Sequence, residues 1–148
     1  MRARRSCGGC IFRDTAVKAL AGYTKGDTKI IMHFIIGGRC SGKRDYVRKK
    51  FGLEPKSALE GDFSGAVYDF HLYIRRLMES SGDVEACVNK ILDSDISVII
   101  SDEIGCGIVP VDEFERRYRD CVGQVHRLIA ERAESVVRVV CGIGVRLK

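Results

Sequence analysis

The chain has 148 residues, of which 45% are hydrophobic and 30% charged, and its formal net charge is +5. This length suits one domain with a buried core, and no apolar run approaches the roughly 18 residues of a membrane-spanning helix. Residues 1–31 hold seven basic and two acidic residues, whereas residues 32–148 hold 18 of each. The body of the protein is therefore neutral, and we expect neither nucleic acid nor a membrane as its partner.

Residues 1–31 are predicted to form a basic, poorly ordered N-terminal extension ahead of a nucleotide-binding domain over residues 32–148. The extension lacks the apolar segment of a signal peptide, although its arginines would also suit a transit peptide. The chain has seven cysteines, and Cys7-x-x-Cys10 is the only close pair, without the second pair that a zinc site needs. Scattered free cysteines favour a reduced, cytoplasmic setting.

The domain opens with an apolar run over residues 30–36, which predicts a strand buried on both faces. A helix is predicted over residues 43–51, and Gly52 ends it. Residues 56–65 contain two glycines and show no regular periodicity, so we expect an irregular connection there.

Apolar residues then follow helical spacing over residues 67–78 and again over residues 84–92, with Asp83 as the N-cap of the second helix. The β-branched run over residues 96–100 predicts a second buried strand. A long helix is predicted over about 112–133 and a third buried strand over 136–141. Strands that alternate with helices indicate an α/β sandwich with a parallel sheet.

The first strand runs directly into Gly-x-x-x-x-Gly-Lys, the pattern of a phosphate-binding P-loop. Its backbone N–H groups and the start of the following helix favour a bound phosphate, and Lys43 is expected to contact the β- and γ-phosphates. The residues expected to bind the nucleotide are Gly37, Gly38, Arg39, Cys40, Ser41, Gly42, Lys43 and Arg44.

Arg44 occupies the position at which the P-loop pattern has a Ser or Thr hydroxyl for Mg²⁺. A guanidinium pairs with phosphate oxygens but cannot ligate a cation. Two interpretations stay open at this point: carboxylates elsewhere hold the metal, or phosphate binding persists with weak catalysis.

Two carboxylates, Asp102 and Glu103, follow the second buried strand. Open α/β sheets bind ligands at the carboxyl ends of their strands, so either residue could hold Mg²⁺ or polarise a nucleophile. The alternative is a solvated turn with no chemical role.

Several segments resemble the bifunctional adenosylcobinamide kinase/adenosylcobinamide-phosphate guanylyltransferase family. The loop matches the family's Gly-Gly-x-x-Ser-Gly-Lys-Ser up to Lys43, and the resemblance covers about residues 32–51 and 96–148. The matching C-terminal segments are Glu103-Ile-Gly-Cys-Gly-Ile-Val-Pro110, Phe114-Glu-Arg-Arg-Tyr-Arg-Asp120 and Val139-Val-Cys-Gly-Ile-Gly144.

The resemblance implies a small P-loop, RecA-like, three-layer α/β sandwich with a mostly parallel sheet, assembled as a homo-oligomer, a trimer in the family. It implies a kinase that phosphorylates the aminopropanol hydroxyl of adenosylcobinamide, a corrinoid, with ATP or GTP and Mg²⁺. In the family, GMP from GTP then passes through a histidine to the phosphate, which gives adenosylcobinamide-GDP for cobalamin biosynthesis. By this resemblance Lys43 and Glu103 are catalytic, and Asp62 and Asp102 are metal ligands.

The family carries its GMP-accepting histidine in an Arg-Ile-x-x-His-x-x-x-Arg-Pro segment, which has no counterpart here. His71 is the candidate replacement, since it shares a predicted helix face with Arg75. Three functions are therefore weighed: a cobinamide kinase with or without guanylyl transfer, a non-catalytic nucleotide-binding or regulatory relative, and a kinase for another small metabolite.

Overall fold

The strand that leads into the glycine loop lies inside the sheet, between two strands from later in the chain. The computed structural model describes residues 31–148. In chain order the elements are β1 (His33–Gly37), α1 (Lys43–Phe51), β2 (Lys56–Ser57), β3 (Gly65–Tyr68), α2 (Phe70–Glu79), α3 (Val84–Leu92), β4 (Ile96–Asp102), α4 (Glu113–Arg132), β5 (Ser135–Val140) and β6 (Ile143–Arg146). The sheet order is β2-β3-β4-β1-β5-β6, and every pairing is parallel except that of β6 with β5.

Helices cover both faces of this sheet. Alternate residues of a strand point to opposite faces, so Ile35 packs with Val47 of α1 while Phe34 packs with Ile74 of α2 and with residues of α3 and α4. The apolar run predicted for β1 is therefore explained by burial on both sides. The predicted α/β three-layer P-loop fold with a mostly parallel sheet is confirmed.

Three of the predicted helices are found close to their expected bounds. The predictions over residues 43–51 and 84–92 match α1 and α3, and the Asp83 side chain accepts a hydrogen bond from the Ala86 N–H at 3.0 Å. Helix α4 spans Glu113–Arg132 and is capped in the same way by Asp112. In each case local spacing and a capping residue agree with the tertiary fold.

The prediction of a helix over residues 67–78 is wrong at its start. The prediction of an irregular connection over residues 56–65 is wrong as well. Residues Gly65–Tyr68 form β3, and α2 begins only at Phe70. Val67 pairs with Ile99 of β4, so sheet pairing overrides the helical spacing there. Residues 56–65 also contain β2 and a short 3-10 turn.

The chain closes in a hairpin that was not predicted. Strand β5 ends at Val140, and Ile143–Arg146 returns along it as β6. Cys141 and Gly142 make the turn with φ of 50° and 78°, the left-handed region that such tight turns require. Strand β4 also runs two residues beyond its predicted end, to Asp102.

The predicted basic extension over residues 1–31, with its Cys7 and Cys10 pair, lies outside the described residues apart from Ile31. The domain boundary at residue 32 therefore stays a prediction. Within residues 31–148, none of the helices has the length and apolar character needed to cross a bilayer.

Candidate nucleotide-binding site

The glycine loop connects the carboxyl end of β1 to the start of α1. Gly42 precedes the helix with φ of 87°, a conformation that L side chains rarely adopt. At Gly37 the constraint is space, because a Cβ there would lie 2.4 Å from the carbonyl oxygen of Val139 in β5. The predicted loop thus has the strand–loop–helix geometry that P-loops use to surround a phosphate.

Lys43 is the first residue of α1, directly after the loop, and is 7% exposed. Its Nζ donates to the Gly38 carbonyl at 2.6 Å and lies 3.3 Å from the Gly37 carbonyl. The same Nζ lies 2.6 Å from Oδ1 of Asp102. The ammonium therefore joins the loop to the end of the neighbouring strand.

Asp102 reaches this position because β4 pairs with β1 in a register that places it opposite Gly37. Its backbone N–H donates to Nδ1 of His71 at 3.3 Å, and its Oδ2 lies 3.7 Å from Nε2 of His71. Because Nδ1 accepts this bond, the neutral ring carries its proton on Nε2, which faces the carboxylate. Lys43, Asp102 and His71 form one connected polar row.

The charge state of His71 follows from its surroundings. Burial lowers the pKa of His71 below its ordinary value, against the opposing effects of Asp102 and Asp69, while Lys43 and Arg39 lower it further. The imidazole is therefore neutral near pH 7. The neutral ring accepts one hydrogen bond from the Asp102 backbone and places Nε2 3.7 Å from the Asp102 carboxylate, so it holds Asp102 in position.

Helix α4 contacts α2, the helix that carries His71, through a hydrogen bond and an ion pair. The Tyr118 hydroxyl donates to the His71 carbonyl at 2.9 Å, and burial raises the pKa of Tyr118 to about 12. The Arg75 guanidinium contacts Glu115 at 2.5 Å and lies 5.6 Å from the ring centroid of Phe114. The segment Phe114–Asp120 therefore positions α2 rather than contacting the loop.

A cavity of about 610 Å³ opens in front of this row. Loop residues 39–43 line one side of it, and Tyr68, His71 and Asp102 line another. Arg44 also lines the cavity, with its guanidinium 4.6 Å from the ring centroid of Tyr68. Several cationic side chains on one wall suit a polyanionic ligand such as a nucleotide phosphate.

Two of the three carboxylates predicted as catalytic or metal-binding residues, Glu103 and Asp62, do not line this cavity. The side chain of Glu103 forms an ion pair with Arg138 at 2.9 Å, and its backbone N–H donates to the Gly37 carbonyl. Asp62 pairs with Lys56 at 2.6 Å in the segment before β3, whereas the cavity lies at the carboxyl ends of the strands. The structure thus brings Lys43, His71 and Asp102 together but not Asp62.

The turn between β5 and β6 supports the loop from outside the cavity. The Gly142 N–H donates to the Ser41 carbonyl at 2.8 Å, and a Cβ on Gly42 would lie 3.0 Å from the Gly142 Cα. Gly144 packs on the Tyr46 ring, where a Cβ would come within 2.4 Å. These positions were not among the predicted site residues, although a Gly-x-Gly directly after a buried strand was a signal for them.

The residues at this site do not fit the Mg²⁺ that the resemblance implies. Residues 31–148 contain no group of three or more His, Cys, Asp or Glu side chains that could hold a metal ion. Arg44 stands where the pattern needs a hydroxyl, and a guanidinium cannot ligate a cation. The usual pair of protein donors, a hydroxyl and a carboxylate, is therefore incomplete at this loop.

The remaining described histidines have structural partners. His126 on α4 shares a hydrogen bond of 2.8 Å with Ser101, and burial lowers the pKa of His126 to about 4. His33 in β1 shares a bond of 2.7 Å with Ser135. Each bond ties together two elements of the scaffold.

Comparison with known proteins gives a consistent assignment for the second half of the chain. The model of the family described as cobinamide kinase / cobinamide phosphate guanyltransferase matches residues 70–147. A bifunctional adenosylcobalamin biosynthesis protein, CobP of Pseudomonas aeruginosa, is 45% identical over 51 residues, which are 34% of this chain and 30% of that protein. The CobU proteins of Salmonella typhimurium and Escherichia coli, with the same description, are each 43% identical over 51 residues, 34% of this chain and 28% of theirs.

The matched stretch thus spans less than a third of these curated relatives. The family match begins at residue 70, after the glycine loop. The assignment of the loop as a phosphate-binding loop therefore depends on its sequence pattern and its geometry. Because the match covers more than half of the chain, the protein belongs to the cobinamide kinase / cobinamide phosphate guanyltransferase family.

Proposed function

We propose that this protein is a cobinamide kinase that transfers the γ-phosphoryl group of ATP or GTP to the aminopropanol hydroxyl of adenosylcobinamide, in cobalamin biosynthesis. The observation that carries the proposal is the row formed by Lys43, Asp102 and His71 at the mouth of the loop, with Nζ of Lys43 2.6 Å from Asp102. Family membership and the names of the relatives support the choice of substrate.

In this proposal the loop and Lys43 bind the phosphates. The loop N–H groups and the N-terminal end of α1 surround the β-phosphate, and Lys43 moves from Asp102 to the oxygens between the β- and γ-phosphates. Positioning and charge neutralisation then provide most of the rate enhancement, because the protein forms no covalent intermediate in this phosphoryl transfer.

The movement of Lys43 releases the Asp102 carboxylate for the acceptor. Asp102 takes the proton of the substrate hydroxyl, whose oxygen forms a bond to the γ-phosphorus as the bond to the nucleoside diphosphate breaks. His71 keeps the carboxylate oriented through its two contacts of 3.3 and 3.7 Å. Asp102 is thus the catalytic base and His71 a positioning residue, while Glu103 stays a weaker candidate beside Arg138.

The geometry favours the kinase reaction over guanylyl transfer. A histidine that accepts GMP needs an unprotonated ring nitrogen open to the nucleotide. In His71 the unprotonated Nδ1 faces the backbone N–H of Asp102, and the residue is 7% exposed. We therefore expect phosphorylated corrinoid without a protein-bound GMP.

One experiment separates these functions. The protein is incubated with labelled ATP or GTP and adenosylcobinamide, and both the acid-stable phosphorylated corrinoid and acid-labile protein-bound GMP are measured. Corrinoid product without label on the protein supports the proposal. Label that is lost in His71→Ala would establish guanylyl transfer on His71 instead, and nucleotide binding with neither product would support a non-catalytic relative.

A further inference from the structure

Arg44 occupies the P-loop position at which a Ser or Thr hydroxyl usually binds Mg²⁺. We infer that Arg44 and Lys43 together neutralise the bound polyphosphate, so that nucleotide binding by this protein does not require a divalent metal ion. The inference rests on the proposed nucleotide site and adds a role for the one loop residue that departs from the pattern.

The first support is the placement of the Arg44 guanidinium. It lies 4.6 Å from the ring centroid of Tyr68, at the carboxyl end of β3, and both side chains line the same cavity as Lys43. Stacking on an aromatic ring uses the flat face of a guanidinium and leaves its N–H edge available. Arg44 is thereby directed toward the site with part of its rotamer freedom already lost.

The second support is a contrast between two arginines of α1. Arg48 is held by Glu54 at 2.6 Å and by Asp45 at 2.8 Å, so its charge is used within the scaffold. For Arg44, no carboxylate of residues 31–148 lies within ion-pair distance. An exposed guanidinium that lines an anion-binding cavity without such a partner is available to a phosphate.

The third support is the charge at the loop. The usual pattern has a lysine followed by a metal-binding hydroxyl, whereas this chain has Lys43 followed by a second fixed positive charge, Arg44. A guanidinium also binds two phosphate oxygens at once, which a hydroxyl that coordinates a metal ion does not do.

The test is equilibrium binding of ATP and of GTP by isothermal titration calorimetry, with excess Mg²⁺ or with EDTA. We expect the dissociation constant of the wild-type protein to change by no more than about threefold between the two buffers. Arg44→Ser, which restores the side chain of the usual pattern, is expected to weaken binding in EDTA about 10- to 100-fold, because a charge-assisted bond is lost. Mg²⁺ should recover part of that loss.

Two further variants make the result specific. Arg44→Lys keeps the charge but not the two-oxygen geometry, and it should fall between wild type and Arg44→Ser. Lys49→Ser removes an equal charge from an exposed position of the same helix, outside the cavity lining, and should bind like wild type. Thermal melts of all variants report whether each one is folded.

Two results would overturn the inference while leaving the proposed nucleotide site intact. One is wild-type binding that is present with Mg²⁺ and lost in EDTA. The other is an Arg44→Ser variant that binds as well as Lys49→Ser in EDTA. A folded wild-type protein that binds neither nucleotide in either buffer would instead overturn the proposed nucleotide site, and this inference with it.

Discussion

The two halves of the 148-residue chain, divided at residue 70, carry different kinds of information. Residues 31–69 contain the phosphate loop and the helix behind it, whereas residues 70–147 carry the family match. The first half has the short motif with an obvious chemical interpretation, and the second half has the likeness to the cobinamide kinase / cobinamide phosphate guanyltransferase family. The difference shows that the phosphate loop and the family match lie in different halves of the chain, while Asp102 and His71 of the site lie within the matched residues.

The two halves interlock at the loop. Gly142 of the second half donates to the Ser41 carbonyl, and Asp102 contacts Lys43 across the sheet. The carbonyl of Val139 closes the space beside Gly37. Variants on each side of this boundary can therefore separate loss of chemistry from loss of support.

The largest effect is expected for Lys43→Ala in the first half. Removal of the ammonium that we propose binds the β- and γ-phosphates should lower kcat/KM for corrinoid phosphorylation by at least about 1,000-fold. Steady-state kinetics measure this, with Lys49→Ala as the charge-matched control on the same helix. Activity of Lys43→Ala within tenfold of the control would show that the loop is not the phosphate site.

The next effect concerns His126, which is partly buried in the second half. Its pKa is lowered to about 4, mainly by burial and further by His71, while the unfolded chain has an ordinary value of about 6.5. Between these values the unfolded chain binds more protons, so the contribution to stability is complete above about pH 6.5 and is lost as the pH falls toward 4. Urea unfolding should show a loss of about 2–3 kcal/mol from this group between pH 7 and pH 4.

His126→Gln should remove most of that pH dependence, while it keeps a polar side chain near Ser101. His33→Gln serves as the control, because the pKa of His33 is lowered by burial to a lesser extent near the edge of the fold. A pH profile of His126→Gln that follows wild type would show that other groups set the acid sensitivity of the scaffold.

A smaller effect is expected where the second half closes against the loop. In Gly37→Ala the new methyl group meets the Val139 carbonyl at 2.4 Å, so the loop or β5 must shift. We expect a loss of about 1–3 kcal/mol in the free energy of unfolding together with weaker ATP binding. Gly38→Ala is the matched control, since no atom lies within 4 Å of its Cβ position. Equal stability of the two variants would contradict the close contact between Gly37 and the Val139 carbonyl.

The smallest effect is expected inside the second half, at the contact between α4 and α2. Tyr118→Phe removes the hydrogen bond of 2.9 Å to the His71 carbonyl and should cost about 1 kcal/mol in the free energy of unfolding. Tyr73→Phe on α2 is the control, since the Tyr73 hydroxyl has no hydrogen bond within residues 31–148. A greater loss of kinase activity in Tyr118→Phe than in the control would show that α4 acts on the site through His71.

The sequence predicted those parts of the fold that local patterns determine. Strand β1, helix α1 and the Asp83 cap of α3 each follow from a short stretch of residues, and each was found. Strand β3 was missed because its partner β4 lies far away in the chain, and Val67 shows helical spacing until Ile99 is placed beside it. Strand β6 was missed although its partner β5 directly precedes it, because the two-residue turn at Cys141 and Gly142 was not recognised. Strand pairing over long separations is not visible in a single sequence.

The same limit applies to the candidate site. Lys43, His71 and Asp102 were each selected from the sequence, but their contact depends on the register that sets Asp102 opposite Gly37. Asp62 was selected from the family resemblance, and only the strand direction shows that it lies before the amino end of β3. The supporting role of Gly142 depends on a hairpin that the sequence did not reveal.

The position of β1 between β4 and β5 has a consequence for the order in which the protein becomes functional during synthesis. The strand that starts the domain is translated first, yet its two neighbours come from residues 96–102 and 135–140. The loop therefore lacks its Val139 wall and its Gly142 contact until the last strands leave the ribosome. Nucleotide binding to the nascent chain would report completion of the whole sheet, and bound nucleotide would favour that completed state.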